Sequence, residues 1–272
     1  MTTIPAPVTA TGTSRLRAVG LHVGYGDKPV VRDLDLDLLD GAVTTVIGPN
    51  GCGKSTLLRA LGRLLKPSAG EVMLDGTRID RLATKKVASQ LALLPQTPIA
   101  PEGLIVRDLV ARGRHPHQSW LRQWSADDED VVEETLRWTS IEDLADSAVD
   151  ELSGGQRQRA WIAMALAQQT GLVLLDEPTT YLDLSHQIEV LDLVRMLNRD
   201  RGATVVMVLH DLNLAARYSD QLVAMKDGRI VASGKPEDVV TTDLLREVFR
   251  LEAQVLEDPV TGKPLVVPVR AL

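Results

Sequence analysis

Cysteine is almost absent from this chain, and so are hydrophobic runs long enough to cross a bilayer. The single cysteine, Cys52, excludes an internal disulfide and suits a reducing compartment. A membrane-spanning helix needs about eighteen consecutive apolar residues, and no stretch of the sequence reaches that length. We therefore expect no segment of this chain to span a membrane, and any membrane association to come from a partner.

A surplus of positive charge is lacking as well. The 30 lysines and arginines are outnumbered by 37 aspartates and glutamates, and the resulting net charge of −7 argues against a nucleic-acid partner. Residues 1–14 lack the charged start and apolar run of a signal peptide, and we expect them to form a disordered tail. The composition, with 44% hydrophobic and 25% charged residues, is typical of a folded chain with a substantial core.

Hydrophobic periodicity predicts strands that alternate with helices. The strict alternation DLDLDL at 33–38 indicates a strand with one buried face. Short apolar runs predict buried strands at 43–47, 91–94, 172–175 and 204–209. Helical spacing is present at 57–65, 185–198 and 241–249. This alternation predicts an α/β fold with a largely parallel, doubly wound sheet.

Residues 97–167 differ in character from their surroundings. They show helical periodicity without a convincing strand, and they hold all four tryptophans, Trp120, Trp124, Trp138 and Trp161. We expect an inserted helical subdomain here, between the two parts of a core domain at 15–96 and 168–234, with a C-terminal extension at 235–272 packed on that core. Large aromatic residues usually report burial, so the tryptophans are expected in the subdomain core, with Trp120 and Trp124 better placed to meet a partner.

A glycine-rich segment directly follows the strand predicted at 43–47. It matches the phosphate-loop pattern GxxxxGK[ST] and comprises Gly48, Pro49, Asn50, Gly51, Cys52, Gly53, Lys54, Ser55 and Thr56. In this pattern backbone amides surround the β-phosphate of ATP, Lys54 reaches the β- and γ-phosphates, and Ser55 holds Mg²⁺. Chance gives the pattern in roughly one chain of this length in a hundred. Because a helix N-terminus can lower a thiol pKa, we also expect ATP to protect Cys52 from alkylation.

A second anion site is predicted about a hundred residues later, at the sequence LSGGQ. Ser153, Gly154, Gly155 and Gln156 stand where a helix is expected to begin, and a hydroxyl with two consecutive glycine amides suits an anion. One nucleotide needs only one phosphate-binding loop. Two anion sites in one chain suggest a nucleotide held between two copies of it.

Two adjacent carboxylates end the strand predicted at 172–175, in the sequence LVLLDE. Ligands of parallel sheets lie at the carboxyl ends of the strands. Asp176 would hold Mg²⁺ through water, and Glu177 would be the general base that polarises the attacking water. For the pair alone a helix cap is the alternative, and the phosphate loop makes that alternative weak.

Together the motifs GPNGCGKST, LSGGQ, LVLLDEPTT and YLD, with a histidine after a strand, resemble those of the nucleotide-binding subunit of an ABC transporter. The resemblance extends from about Arg15 to the end of the chain. It implies a P-loop NTPase (RecA-like) core with a mostly parallel sheet, an antiparallel β subdomain and the inserted helical subdomain. It also implies ATP hydrolysis coupled to transport across a membrane.

Further residue roles follow from this resemblance alone. Gln96, in LLPQ, is the residue that touches Mg²⁺ and relays to the membrane subunits. Asp183 occupies the D-loop position of YLD, and His210 is the switch histidine that contacts the γ-phosphate. Tyr25, in GYG, resembles the aromatic residue that stacks on adenine.

The resemblance implies a homodimer whose two copies face each other head to tail. Each ATP would lie between Lys54, Ser55, Gln96, Asp176, Glu177 and His210 of one copy and Ser153 and Gly155 of the other. Transmembrane permease subunits are expected to contact the region from Gln96 to Trp124, with a substrate-binding protein involved indirectly. This arrangement places the subunit at the cytoplasmic face of the membrane, with no nucleic acid as partner.

The expected cargo is a ferric siderophore. RGRHPHQ resembles importers of ferric siderophores, haem and cobalamin, and SGGQRQRAWIAMALAQ, LHDLNLAARYSD and DPVTGKPLVVP look closest to the siderophore members. Haem and cobalamin importers remain alternatives. A soluble ABC ATPase acting on DNA or ribosomes is the rival from a different class, but such proteins usually add a coiled coil or a second cassette, and 272 residues leave no room for either.

Overall fold

The computed structural model describes residues 14–118 and 124–272, which separate into two compact units. Residues 14–82 and 204–272 form one unit, here called the core unit, and residues 83–203 form the other, called the inserted unit. The domain boundaries expected near 97, 168 and 235 stay a prediction. The tail expected at 1–14 lies, apart from Ser14, outside the described residues, and Trp120 does so as well. Within the described ranges, every helix is too short or too polar to cross a membrane.

Strands and helices alternate along much of the chain, as the hydrophobic pattern predicts. The strands of the described residues are β1 (Leu16–Tyr25), β2 (Lys28–Asp37), β3 (Val43–Ile47), β4 (Ala69–Leu74), β5 (Thr77–Arg78), β6 (Leu91–Leu94), β7 (Leu172–Asp176), β8 (Thr204–Val208), β9 (Gln221–Lys226), β10 (Arg229–Gly234), β11 (Leu251–Glu257) and β12 (Pro264–Ala271). The α-helices in the same ranges are α1 (Lys54–Leu61), α2 (Thr84–Ala88), α3 (Val106–Ala111), α4 (Ala126–Trp138), α5 (Gly154–Ala167), α6 (Leu184–Arg201), α7 (Leu212–Tyr218), α8 (Pro236–Val239) and α9 (Thr242–Phe249).

The core unit holds an antiparallel sheet in the order β2-β1-β4-β5. The predicted alternation is present in β2, where Leu34 and Leu36 are buried, Asp33 and Asp35 are exposed and Asp37 is half-buried. A residue period of two puts these leucines on one face of the sheet. This sheet confirms the antiparallel β subdomain that the resemblance implies.

Parallel strands carry the phosphate loop in the same unit. β3 pairs in parallel with both β8 and β9, so that Thr44 lies opposite Val206 on one side and Gln221 on the other. β10 pairs antiparallel with β9 and is the strand next to it in the sheet. All five residues of β3 are buried, as expected for a strand flanked on both sides. The carboxyl end of β3 therefore delivers the glycine loop to the edge of the sheet where ligands bind.

In the inserted unit β6 and β7 form a parallel pair, with Leu91 opposite Leu172 and Leu94 opposite Leu175. Their carboxyl ends lie side by side, because the register keeps the two strands level. The segment carrying Gln96 follows one of these ends directly. β7 extends one residue beyond the predicted range and ends on Asp176.

A buried ion pair fixes the helices of the inserted unit. Arg114 Nε lies 2.9 Å from Asp128 Oδ1, and both side chains are almost completely shielded from solvent. Arg114 also donates to the carbonyl oxygen of Ala167 at 2.8 Å and to Gln169 at 3.0 Å. The pair thereby joins the start of α4 to the end of α5.

The three described tryptophans all lie in the inserted unit. Trp161 is buried, Trp138 is half-buried beneath the guanidinium of Arg201 at 4.3 Å, and Trp124 is 45% exposed. A guanidinium over an indole face is a favourable cation–π arrangement. Trp161 fits the core role predicted for it, whereas Trp124 has the exposure expected of a residue that meets a partner.

The C-terminal residues add a two-stranded sheet, β11 with β12, to the core unit. Asn213 of α7 holds this sheet through two hydrogen bonds to the backbone of Val266, accepting at 2.7 Å and donating at 3.2 Å. The helix predicted at 241–249 is present as α9. Its hydrophobic face is buried through Leu244, Leu245 and Val248.

Candidate functional site

The phosphate loop adopts a backbone that demands glycine. Gly48, Gly51 and Gly53 have φ of 153°, 78° and 109°, values that residues with a Cβ rarely adopt. At Gly48 an added Cβ would also collide with the carbonyl oxygen of Met225 and lie 2.8 Å from Cys52 Sγ. Backbone conformation thus keeps these three positions free of side chains, and at Gly48 packing does so as well. Such a bare turn allows the close approach of backbone amides to a phosphate.

Lys54 is the first residue of α1, and its side chain is folded back over the loop. The ammonium donates to the carbonyl oxygens of Gly48 at 2.9 Å and Pro49 at 3.1 Å, and the residue is buried. Of the other loop residues, Asn50 and Gly51 are exposed, Thr56 is buried and Ser55 is half-buried. A fixed cation beside a helix N-terminus makes the loop suitable for an anion.

Cys52 behaves as a packed residue of the loop. It is 4% exposed, and its carbonyl oxygen accepts a 3.0 Å hydrogen bond from the amide of Gly228. Burial raises the pKa of its thiol, although the nearby Lys54 acts in the opposite direction. The helix N-terminus invoked from the sequence therefore does not activate this thiol, because desolvation of the thiolate outweighs it.

Two more predicted residues lie at strand ends of the core unit. Tyr25 ends β1, is 48% exposed, and its hydroxyl accepts a 3.3 Å hydrogen bond from Arg59 of α1. The ring is thus accessible for stacking. His210 is exposed in the segment between β8 and α7. The next residue, Asp211, caps α7 by accepting from two of its backbone amides at 2.8 Å, so the helix fixes the chain just after the histidine.

In the inserted unit, Glu177 directly follows the buried Asp176 and has a left-handed backbone with φ of 53°. Its Oε2 accepts hydrogen bonds from Gln96 Nε2 at 2.6 Å and from Thr180 Oγ1 at 3.0 Å. A left-handed non-glycine residue costs about 1 kcal/mol or more, and such strain concentrates at functional positions. The structure thus brings together two residues, Gln96 and Glu177, that separate motifs singled out.

The LSGGQ segment caps a helix. Ser153 is the N-cap of α5: its hydroxyl accepts from the amide of Gln156 at 3.3 Å, and the side chain of Gln156 accepts in return from the amide of Ser153 at 3.0 Å. This reciprocal pair is a capping box. From the sequence Gln156 is predicted as a nucleotide contact, and the pattern Ser-x-x-Gln before a helix also signals this capping role. Ser153 and Gly154 are exposed at the start of the helix.

Asp183 is the N-cap of α6 and is held by three hydrogen bonds to Oδ1. The donors are the backbone amide of His186 at 3.0 Å, the Nδ1 atom of His186 at 2.6 Å and the hydroxyl of Ser185 at 2.9 Å. These bonds, led by the backbone amide, lower the pKa of Asp183 to about 2. The carboxylate is therefore ionised and oriented at neutral pH. His186 was not singled out by the sequence, because a lone histidine in a helix carries no pattern of its own.

The residues present fit ATP and Mg²⁺. The glycine turn and Lys54 suit phosphate oxygens, and Ser153 with Gly154 forms a second exposed helix start. Mg²⁺ prefers oxygen ligands, and the side chains of Ser55, Gln96 and Asp176 each carry an oxygen of this kind. Ser55 belongs to the core unit, and Gln96 and Asp176 to the inserted unit.

Two solved structures resemble this fold over most of its length. A metal-chelate type ABC transporter in an inward-facing conformation matches with a TM-score of 0.81 and 29% identity, covering 94% of this chain and 97% of that one. The dimeric ATP-binding cassette MJ0796, in a post-hydrolysis state with ADP and Pi, matches with a TM-score of 0.72 and 27% identity, covering 81% and 98%. ABC cassettes of this fold thus form dimers and occur in transporter assemblies.

Sequence comparisons agree with the fold. The probable siderophore transport system ATP-binding protein YusV of Bacillus subtilis is 58% identical over 257 residues, which cover 94% of each chain. The ferric enterobactin transport ATP-binding protein FepC of Escherichia coli is 51% identical over 256 residues, again 94% of each chain. The family described as ABC transporter matches residues 31–180, more than half of the sequence. This chain therefore belongs to the ABC transporter family, as an ATP-binding subunit that hydrolyses ATP for transport.

Proposed function

We propose that this chain is the ATPase subunit of an importer for ferric siderophores and that it acts as a homodimer with two shared nucleotide sites. The observation that carries the chemical part is the 2.6 Å hydrogen bond between Gln96 Nε2 and Glu177 Oε2. This bond holds the carboxylate of Glu177, the expected general base, next to Gln96, the residue expected to contact Mg²⁺ and to relay to the membrane subunits. A base that is oriented before substrate arrives needs little reorganisation during the reaction.

The proposed reaction starts when ATP enters the phosphate loop. Lys54, now bound to the carbonyl oxygens of Gly48 and Pro49, would turn its ammonium to the β- and γ-phosphates. Ser55, Gln96 and Asp176 would provide oxygen ligands for Mg²⁺, a group that supplies charge neutralisation at the phosphates when it is bound. Glu177 would accept a proton from the attacking water, and His210 would contact the γ-phosphate.

The second copy would complete each site with its LSGGQ segment. Ser153 and Gly154 are exposed at the start of α5, where backbone amides and the positive end of the helix favour an anion. The γ-phosphate would bind this helix start only while ATP is intact. ATP therefore favours the closed dimer and hydrolysis releases it, since a ligand shifts a population through its differential affinity for the two states.

The permease contact expected between Gln96 and Trp124 is proposed at a groove of about 330 Å³ in the inserted unit. Ile99, 87% exposed, lies on this groove together with Trp161 and Arg157. Arg157 stiffens one wall by donating to three backbone carbonyl oxygens, among them that of Val149 at 3.1 Å. An exposed apolar side chain over an apolar groove suits a short helix of a membrane subunit. This arrangement would place the chain at the cytoplasmic face of the membrane.

The groove is tested by replacing Ile99 with glutamate. We expect I99E to abolish stimulation of ATP hydrolysis by the co-reconstituted permease and to leave the basal hydrolysis of the isolated subunit within twofold. Val260→Glu, at a residue 73% exposed in the core unit, is the matched control for an added surface charge. Full stimulation of I99E would exclude this groove as the permease contact.

Ferric siderophores are proposed as cargo because siderophore transport is named for YusV, at 58% identity, and ferric enterobactin transport for FepC, at 51%. Deletion of the gene followed by growth on single iron sources tests this proposal. We expect growth to fail on one or more ferric siderophores and to continue on haem, with cobalamin uptake unchanged. Loss of haem or cobalamin use with normal siderophore use would favour the alternative importers.

The rival ATPase acting on nucleic acid or ribosomes is separated by stimulation assays. Hydrolysis by the purified subunit is measured with reconstituted permease subunits and, in parallel, with DNA, RNA or ribosomes. A net charge of −7 argues against nucleic acid as the partner. Stimulation by nucleic acid alone would overturn the transport function.

A further inference from the structure

One side chain, His186, joins the two segments that the proposed dimer would present to the neighbouring copy. It lies in the first turn of α6, and its Nδ1 atom is 2.6 Å from Asp183 Oδ1. The same imidazole also packs against the LSGGQ segment. An ideal Cβ placed on Gly155 would lie 2.6 Å from Cδ2 and 2.9 Å from Cγ of His186. The ring thus fills the space where any other residue at 155 would place its side chain.

The imidazole of His186 contacts two residues of different character, Asp183 and Gly155. Asp183 is ionised and takes three hydrogen bonds on Oδ1, while its side chain remains 66% exposed. Gly155 is buried and belongs to the first turn of α5, next to the exposed cap formed by Ser153. An ionised carboxylate accepts hydrogen bonds only, so Nδ1 of His186 must be the donor. This bond sets the plane of the ring that contacts Gly155.

A second contact shows that the two helices are also tied elsewhere. Arg159 of α5 forms an ion pair with Glu189 of α6, one turn further along both helices. This pair is partly exposed, and exposed ion pairs contribute little to stability. Helices α5 and α6 can therefore pair without His186. The placement of the start of α5 beside Asp183, in contrast, involves the ring of His186 directly.

We propose that His186 is a positioning residue that fixes the LSGGQ helix start and Asp183 as one block, so that both meet the second copy and its ATP together. This inference rests on the proposed shared site. It explains why position 155 needs glycine although no unusual backbone angle requires it: the φ of Gly155 is not among the positive values. Loss of the ring would leave each segment intact but free to move relative to the other.

The test measures ATP-dependent dimerisation of the full chain in a Glu177→Gln background, which slows hydrolysis. Sedimentation velocity gives the dimer dissociation constant, and a fluorescent ATP analogue reports nucleotide affinity at concentrations where the chain is monomeric. We expect His186→Ala to raise the dimer dissociation constant tenfold or more and to change monomer nucleotide affinity less than twofold. If His186→Ala proves unstable, His186→Gln replaces it in the test. The glutamine keeps a hydrogen-bond donor, so its dimer dissociation constant should rise less than that of the alanine variant.

A double-mutant cycle with Gly155→Ala separates the ring contact from a general loss of structure. Alone, G155A should weaken dimerisation more than tenfold because its methyl group meets the imidazole. In the H186A background the same change should add less than twofold, because the space is empty. Glu189→Ala, which breaks the other contact between the two helices, is the matched control and should leave dimerisation unchanged.

The possible failures point to different conclusions. If the Glu177→Gln chain does not dimerise with ATP, the shared site of the proposed function is wrong. If that chain dimerises and H186A dimerises equally well, the positioning role alone is overturned. The positioning role would also be overturned if G155A weakened dimerisation equally with and without His186. A loss of nucleotide affinity in the H186A monomer as large as the loss of dimerisation would overturn it as well.

Discussion

Gln96 Nε2 and Glu177 Oε2 lie 2.6 Å apart, so the segment after β6 and the residue after β7 are joined by one hydrogen bond. Two parallel strands in level register make this contact possible, because their carboxyl ends lie side by side. A displacement of the Gln96 segment would therefore change the environment of the carboxylate directly. This is the simplest route by which a partner bound near Ile99 could affect hydrolysis.

Glu177→Gln is expected to lower ATP turnover by roughly two to four orders of magnitude, the usual effect of losing a general acid or base. Nucleotide binding should be retained, since the amide preserves size and hydrogen bonding, and an ATP-bound dimer should accumulate. Phosphate release and gel filtration with ATP measure both effects. Glu142→Gln, at an exposed residue of the same unit, is the control.

Lys54→Ala serves as a contrast to this variant, because it should weaken ATP binding as well as hydrolysis. The alanine removes the cation held over the loop carbonyls.

Near-normal hydrolysis by the Glu177→Gln chain would show that the base has been assigned wrongly.

Gln96→Glu is expected to lower ATP turnover. The change removes the amide that donates to Glu177 and places a second carboxylate where that donor stood. Two like charges so close repel each other, so the Glu177 carboxylate loses the orientation that the hydrogen bond gives it. Turnover at saturating ATP tests this, with the exposed Gln254→Glu as control. Unchanged turnover would mean that the two side chains separate before catalysis.

Tyr25→Ala is expected to weaken ATP binding without a comparable loss of turnover at saturation. Ring stacking contributes about 0.5 to 1.5 kcal/mol beyond area burial, which corresponds to roughly two- to twelvefold in affinity. Tyr25→Phe keeps the ring and loses only the hydrogen bond with Arg59, so it should bind ATP nearly as well as the unchanged chain. An ATP dissociation constant that is the same for all three chains would remove Tyr25 from the site.

Alkylation of Cys52 is expected to be slow in the folded chain and slower still with ATP. Burial raises the pKa of the thiol, so less of the reactive thiolate is present at any given pH, and the rate should rise only at a pH above that of an ordinary cysteine. Mass spectrometry after timed iodoacetamide treatment measures the rate, with the denatured chain as reference. Equal labelling with and without ATP would contradict protection by the nucleotide.

Asp128→Asn is expected to destabilise the inserted unit by about 3 kcal/mol or more at neutral pH, because it leaves Arg114 buried without its counter-charge. Burial alone would raise the pKa of Asp128, but hydrogen bonds from Arg114 and Ser125 outweigh it and lower the pKa. The stabilisation is therefore fully present above the unfolded-state pKa of about 3.9 and is lost as pH falls through the lower folded-state value.

Thermal unfolding followed from pH 7 to pH 3 tests this prediction. The difference between the unchanged chain and the Asp128→Asn variant should narrow below about pH 4. Asp130→Asn changes an exposed residue of the same helix and is the matched control. A difference that stays constant with pH would show that the ion pair is not the source of the stabilisation.

The sequence predicted the buried strands well and the irregular elements poorly. Residues 43–47 and 91–94 coincide with β3 and β6, because a strand flanked on both sides needs a continuous apolar run. β1 was not predicted, since register shifts near Leu21 and Val23 interrupt its alternation. α1 begins at Lys54 rather than at 57, because the left-handed Gly53 of the phosphate loop sets its start. The hairpin of β11 and β12 carried only short apolar runs.

Candidate site residues were found where a motif fixes both residue type and spacing. The phosphate loop, Asp176 and Glu177 are of this kind. The hydrogen bond between Gln96 and Glu177 joins residues 81 positions apart, and no local pattern predicts such a contact. His186 was missed for the same reason, because its partner Gly155 lies in another helix.

The described tryptophans, Trp124, Trp138 and Trp161, belong to the inserted unit, Trp120 stands between them and α3 in the sequence, and the core unit has no tryptophan. Intrinsic tryptophan fluorescence is therefore a reporter of one unit only, with Trp138 beneath Arg201 sensitive to any shift of α4 against α6. Circular dichroism, in contrast, records both units. Comparing the two signals during denaturation shows whether the units melt in one cooperative transition, and a stopped-flow fluorescence trace on mixing with ATP would time the inserted unit's response without any added label.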